Sequence, residues 1–435
     1  MEPKLLIQLI TIVITLLISI FIYKKYKLTK YQAMIFILLF LFWSAIIIVR
    51  AYRKSYANNP VEIGGLALGA AAAATIASGY GFISIFARFL VFYFSDVFKS
   101  RKLLISFGLV LVAITSYWVF VSPNYYSLLI SSLALGVGAS MLSLFNVFFA
   151  QTFEAKDAMK SVSILSIAPL LSEFVMSLFQ FAYTDKSNTN YGMLWLLSVI
   201  LSVIALIFMF FVNDNKPPKQ SMSRGKFKTI ITNKNTWYFG IVGILVSLVK
   251  FALSGSNTIT YFQTDIVAMN DFMVAYSDFL YGIAQMIFGI LAGLYFASKI
   301  GLKKTLLLGV ALSLCYNVVL LLTTDPNILF FTQALGGMGY GLTYNSLIGL
   351  AMESVDLDLR DMSMAIFQTF FAIGIFYGDR IYKDILKLLG STKESMHYNQ
   401  VFMAILLITI VLYLIIRFGI KTQRKEEIIE NNHAI

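Results

Sequence analysis

The chain has 435 residues, 59% of them apolar and 13% charged, and a formal net charge of +12. No water-soluble fold hides that much apolar surface, so the bilayer is the expected solvent. The basic excess does not point to nucleic acid, because the cations cluster in short loops between apolar runs.

Taken in chain order, apolar runs long enough to span fall near 5–23, 31–50, 63–94, 103–121, 126–150, 161–183, 191–213, 237–261, 272–297, 305–323, 327–351, 362–382 and 400–419. The first reads as an uncleaved signal-anchor, since no small-residue cleavage site lies near Tyr23. The Gly-rich run 63–94 is long enough to cross at a tilt without splitting. The polar stretch 214–236, with Pro217, Pro218 and six basic residues, separates seven runs from six. The expected organisation is therefore an extra helix and basic loop at 1–30, a six-helix bundle at 31–213, a linker at 214–236, a second six-helix bundle at 237–420 and a tail at 421–435.

Of the 34 basic residues, 23 fall in one alternate set of loops and six, Arg53 and Lys54 among them, in the other. The rich side is expected to be cytoplasmic, with the linker and C-terminus inside and the N-terminus outside. One cysteine, Cys315, and two histidines, His397 and His433, exclude zinc, haem and disulfide frameworks and make a His-based active site improbable. No Gly-x-x-x-x-Gly-Lys-Ser/Thr loop is present for an ATP-driven pump. With no nucleophile–base constellation, no enzyme and no cofactor or metal are expected.

Two cations interrupt this pattern. Arg50 closes the run 33–49, and Lys250 lies deep in the run that starts at Trp237. They are 200 residues apart, and each precedes a short charged loop by a similar distance: 46 residues to Asp96 and 48 to Ser298. A cation at membrane depth costs roughly 3 kcal/mol on insertion scales unless it meets a cavity, partner or ligand. The matched placement points to one site made by two halves of a repeat. Glu173 and Asp278 are the membrane acids available to neutralise these cations or, if they titrate, to carry a coupled proton. Arg88 lies toward the basic end of its run and suits either an interhelical pair or a solute contact. Asp379 and Lys383, four apart, share a helix face. Trp43, seven residues before Arg50, lies on the same face as Arg50.

The loop Ser95-Asp96-Val97-Phe98-Lys99-Ser100-Arg101-Lys102 and the loop Ser298-Lys299-Ile300-Gly301-Leu302-Lys303-Lys304 both follow Gly-rich helices and end in adjacent cations. An acid followed by cations at a helix–helix turn suits capping one helix and latching a neighbour. The pair resembles the loop motif that recurs in both halves of the major facilitator superfamily, with Ser298 in place of the usual Asp. The resemblance implies an all-α membrane fold of two six-helix bundles with pseudo-two-fold symmetry, here with one extra N-terminal helix, working as a monomer. Within that superfamily the segments Lys30–Gln32 to Arg50, Tyr80-Gly81-Phe82 with Arg88, Leu248–Phe251 with Thr260–Gln263, and Tyr340–Leu350 resemble the organophosphate:phosphate antiporters. Gly378-Asp379 and Lys383 resemble the hexose-6-phosphate branch. Two departures are the Lys at 250, where that family has Arg, and the lack of a His in the fifth helix. Lysine gives a point charge in place of the planar fork that grips phosphate.

The resemblance implies a plasma-membrane carrier that exchanges a sugar phosphate for inorganic phosphate by alternating access. Arg50 and Lys250 are expected to bind the phosphate, with Arg88 as a further contact. Asp379, Lys383 and Trp43 are expected to read the sugar. Asp96, Arg101, Lys102, Lys299, Lys303 and Lys304 are the expected gating-loop residues. Glu173 and Asp278 favour the alternative of a proton-coupled transporter of another solute, such as a sugar, amino acid or drug. A transporter-like sugar-phosphate sensor is the third reading.

Overall fold

The computed structural model describes residues 3–98, 100–150, 152, 164–165, 167–184, 189–213, 229, 231–355, 360–391 and 397–420. Helix α1 is Pro3–Lys25, α2 Lys30–Arg50, α3 Arg53–Asn58, α4 Ala70–Phe98 and α5 Arg101–Val121. Then come α6 Tyr125–Ser140, α7 Leu142–Ala150, α8 Ile167–Tyr183 and α9 Tyr191–Phe210. Past the linker are α10 Lys234–Ala252, α11 Ser256–Phe262 and α12 Asp271–Leu291. A π-helical turn at Ala292–Phe296 joins α12 to α13, Ala297–Ile300. The chain closes with α14 Leu302–Leu322, α15 Pro326–Glu353, α16 Arg360–Leu388 and α17 Tyr398–Gly419.

Each apolar run is met by a helix, and local chemistry sets the ends. Thr29 and Gln32 form a reciprocal capping box at the start of α2, and Asn124 and Ser127 do so at α6. Asp325 caps α15, whose first residue is Pro326. Among the described residues, eight helical segments are long and apolar enough to cross a membrane, and three apolar helices are shorter. Run 63–94 is helical only from Ala70. Before it, Leu66 and Leu68 donate their N–H groups to the carbonyls of Tyr56 and Ala57, folding the segment back onto α3.

Two spans differ from expectation in the same way. Arg50 does not end its span: α2 and α3 together form a 29-residue span, Lys30–Asn58, broken at Ala51–Tyr52. Its counterpart in the second half, Lys234–Phe262, also has 29 residues and is broken at Leu253–Gly255. Broken helices within a bilayer persist only where protein satisfies the freed backbone groups. Gln180 Nε2 donates to the carbonyls of Ile47 and Ile48, both at 3.1 Å. In the second half, Tyr382 and Tyr316 hydroxyls donate to the carbonyls of Ala252 and Leu253 at 2.9 and 3.0 Å.

The halves meet along two seams, α4 against α16 and α8 against α12. At the first, Gly81 lies against the backbone of Phe376, so closely that a Cβ there would clash. The extra helix α1 packs on α8, and buried Thr11 is hydrogen-bonded to the Tyr276 hydroxyl of α12 at 2.9 Å. It thus touches both halves, while Leu9, Val13, Leu16, Leu17 and Phe21 face outward.

Candidate functional site

The two broken spans carry their cations at the breaks. Arg50 is the last residue of α2, and Lys250 lies in the last turn of α10. The two lie within electrostatic reach of each other and of the carboxylates of Glu173 and Asp278. Arg50 Nη2 is 3.9 Å from Glu173 Oε1, a loose pair whose side chains are each 15% exposed. Tyr80 of α4 lies beside Arg50 as well. Lys250 has its ammonium over the rings of Phe251 and Tyr340, each at 4.7 Å, and of Tyr281 at 5.7 Å. A cation held by ring faces keeps favourable electrostatics without a committed ion-pair partner. It lines a small cavity within the second half with Leu253, Tyr281, Tyr316 and Tyr340.

Asp278 sits one turn before Tyr281 on α12. Its Oδ1 accepts the backbone N–H of Gly255 at 3.2 Å, and its Oδ2 is buried without a hydrogen-bond partner among the described residues. The sequence-expected cations and acids therefore form one mixed cluster: two bases and two carboxylates, each half supplying one of each kind. Two bare cations facing across a cavity would leave a strong site for a dianion. Here each positive charge has a negative one nearby, so the four side chains sum to zero when all are ionised.

Two further cations join from the break in the first half. Arg53 and Lys54, assigned by loop composition to the sparsely charged face, are 3% and 0% exposed. The loop placement is corrected: both are buried on helix α3, which closes that face. Arg53 Nη2 is 3.7 Å from Asp379 Oδ2, its Nη1 donates to Ser132 Oγ at 2.7 Å, and its Nε donates to the Arg50 carbonyl at 3.0 Å. Lys54 Nζ donates to Asn257 Oδ1 of α11 at 2.8 Å and lies 3.9 Å over the Tyr382 ring. Ser55 and Thr260 hydroxyls bond at 3.1 Å in the same contact. The segments beyond the two breaks thus close against one another across the halves. The sequence signal was the spacing 50, 53, 54, which puts three bases on one helix face. It was masked because polar residues after Val49 resemble the end of a span.

Asp379 and Lys383 do not pair with each other. Asp379 faces Arg53, and Lys383 Nζ donates across the α4–α16 seam to Thr75 Oγ1 at 2.7 Å. The i,i+4 pair on this helix is instead Arg380 with Asp384, at 3.0 Å. Arg88 donates to the Gln368 side chain of α16, whose Nε2 in turn donates to Tyr344 at 2.9 Å, so Arg88 is tied across the halves toward the opposite face. Trp43 is buried, with no partner for its indole N–H among the described residues.

The paired loops place their lysines in equivalent contacts. Lys102, at the start of α5, donates to the carbonyl of Val212 at 2.9 Å just past α9. Lys303, at the start of α14, donates to the carbonyl of Ile420 just past α17. Each covers the orphan carbonyls at the end of the sixth helix of its own bundle. Arg101 is buried, Lys299 bonds the Tyr295 hydroxyl at 3.0 Å, and Lys304 is exposed. The side chain of Asp96 and residue Lys99 lie outside the described residues. Among the described residues, no three His, Cys, Asp or Glu side chains are grouped as for a metal ion.

Several solved structures share this architecture. The nucleoside transporter NupG superposes with a TM-score of 0.72 at 16% identity, covering 90% of this chain and all of that one. A POT family transporter in complex with 5-aminolevulinic acid gives 0.72 at 12% identity, covering 90% and 96%. A bacterial homologue of the human lysosomal transporter Spinster, inward-facing and unoccupied, gives 0.66 at 12% identity, covering 90% and 98%. At these identities the likeness concerns the fold. No curated protein sequence matches the chain. A family model described as Major Facilitator Superfamily matches residues 31–378. The paired broken spans, the two seams, the matching loop lysines and this family match agree: the chain is a multi-pass membrane transporter that belongs to the major facilitator superfamily.

Proposed function

We propose that the protein is a proton-coupled secondary transporter of a small polar solute bearing an anionic group, bound between Arg50 and Lys250. The observation that carries this reading is the 3.9 Å pair of Arg50 with Glu173, set beside Lys250 and Asp278. A solute anion that engages Arg50 displaces the Glu173 carboxylate. An unpaired carboxylate in a water-poor site is costly, and taking up one proton removes the cost. One anionic charge and one proton then enter together, and the cluster stays neutral. Release reverses the exchange, and the halves rock about the fixed site. Asp379 and Lys54, tied to Arg53 and Asn257, belong to the closure on the sparsely charged face. Arg88 belongs to the opposite one. Positive-inside topology makes the basic face cytoplasmic in the cell membrane. One chain supplies both halves of the site, so a monomer suffices.

The exchange of a sugar phosphate for inorganic phosphate is the second reading. The convergence of Arg50 and Lys250 favours it. Against it stand the two carboxylates, which a dianion would have to repel or find protonated. Proteoliposomes separate the two. Uptake of labelled phosphate, glucose 6-phosphate, alanylalanine and 5-aminolevulinic acid is measured into empty vesicles with an inward proton gradient, and into vesicles preloaded with phosphate or glucose 6-phosphate at equal pH. Gradient-driven accumulation of one probe without internal solute is the expected result. Phosphate uptake that depends on internal phosphate or sugar phosphate and ignores the gradient would establish the exchanger instead.

A further inference from the structure

The central cluster and the closed face are linked at one backbone position. Gly255, between α10 and α11, has φ +61° and ψ −133°. Residues with a Cβ avoid this region, so the break acts as a hinge built on glycine. Besides the Ser254 hydroxyl, which donates to the Lys250 carbonyl at 2.8 Å, four polar contacts fix the hinge. Tyr382 and Tyr316 hold the carbonyls of Ala252 and Leu253, and Asn257 Nδ2 holds the carbonyl of Phe251 at 2.9 Å. The N–H of Gly255 is held by Asp278 Oδ1. Three of these partners are neutral. Asp278 is the charged one, and it belongs to the cluster that faces Arg50, Lys250 and Glu173, with the hydroxyls of Tyr281 and Tyr316 also within its reach.

Beyond the hinge, α11 has only seven residues. All seven are buried, and Tyr261 packs on Tyr398 and Phe402 at its far end, so the direction of α11 is set by the hinge contacts together with this packing. Its Asn257 and Thr260 make the contacts to Lys54 and Ser55 that close the face across the halves.

We propose that Asp278 is a positioning residue: by holding the Gly255 N–H it helps set the direction of α11, and so ties the state of the central site to closure of the sparsely charged face. The inference rests on the reading of a central site at Arg50 and Lys250. When solute engages those cations, Asp278 loses counter-charge, and any proton or rearrangement that satisfies it weakens its grip on the hinge. Hydrogen bonds to charged acceptors are about twice as strong as neutral ones, so the grip depends on the carboxylate's state.

The test reads accessibility and needs no solute. Cys315, the one cysteine of the chain, is replaced by Ser. Ser256→Cys then places a thiol at a position 4% exposed at the start of α11. A membrane-impermeant maleimide is applied to proteoliposomes, and the labelling rate is measured. Asp278→Ala is expected to raise it about tenfold, as for the loss of one hydrogen bond to a charged acceptor. Asp278→Asn keeps an oxygen acceptor for the Gly255 N–H but not its charge, and is expected to raise the rate only about threefold, between the starting protein and Asp278→Ala. Gly255→Ala perturbs the same hinge without touching the carboxylate, and is expected to raise labelling even if Asp278→Ala does not fold. Equal rises for Asp278→Ala and Asp278→Asn would show that charge alone matters and overturn the hinge role, as would no rise for Asp278→Ala or Gly255→Ala. Because the readout is labelling, failure here leaves the proton-linked transport measurement standing, and the reverse also holds.

Discussion

Arg53 and Asp379 show how buried charge is tolerated in this protein. Their side chains are 4% and 3% exposed, so neither ion reaches the aqueous phase. Removing one partner of such a pair costs about 3–5 kcal/mol, because the other is left uncompensated. Arg53→Met is therefore expected to lower the unfolding temperature in detergent markedly, and Asp379→Leu similarly. The Arg53→Met/Asp379→Leu double variant should recover much of the loss, and a double-mutant cycle on melting curves checks it. Strictly additive losses would mean that the two side chains do not act as a pair. At Lys250 the prediction concerns solute. Lys250→Gln should raise the KM of the transported probe about 10- to 100-fold, as for loss of a charge-assisted hydrogen bond. Lys250→Arg should keep binding by offering the planar fork. Both are read from concentration-dependent uptake. At this scale the central quartet was legible, because a charge inside an apolar run stands out. Arg53 and Lys54 were not, because two cations after Val49 look the same whether a helix ends or breaks and continues. Their burial depends on Asp379, Asn257 and Tyr382, which lie more than two hundred residues away in the other half.

The helices themselves were written plainly in hydropathy, while the caps at Thr29, Asn124 and Asp325 emerge from the structure. Breaks inside a span were not plain in the sequence. Ser254-Gly255 is a pair at which helices can bend, but a single such pair in an apolar run does not mark a break by itself. This one persists because Gly255 adopts φ +61° and Tyr316, Tyr382, Asn257 and Asp278 satisfy the backbone. The loop motif was legible as a repeat, while its contacts were not. Lys102 and Lys303 bond carbonyls past the ends of α9 and α17, about a hundred residues onward in each case. Lys102→Met and Lys303→Met are each expected to cost about 1 kcal/mol, the scale of a cation at a helix C-terminus. Thermal unfolding in low salt measures this, and the loss should shrink as salt is added. A loss independent of salt would indicate lost packing of the lysine stem instead.

For the whole molecule, two half-related breaks bring two bases and two carboxylates together at the meeting of the bundles. Their extensions close one face, and Arg88 with Gln368 ties the halves toward the other. On the proposed reading, a self-neutralised site of this kind moves solute and proton together in preference to exchanging dianions. The most direct test is Glu173→Gln, which keeps the side-chain size and a hydrogen-bonding group but cannot take up the proton. For the probe that accumulates under an inward proton gradient, the variant should lose accumulation while retaining counterflow against the same unlabelled probe inside the vesicle. Accumulation that survives in Glu173→Gln at the unsubstituted protein's level would contradict the displacement of Glu173 from Arg50 as the coupling step.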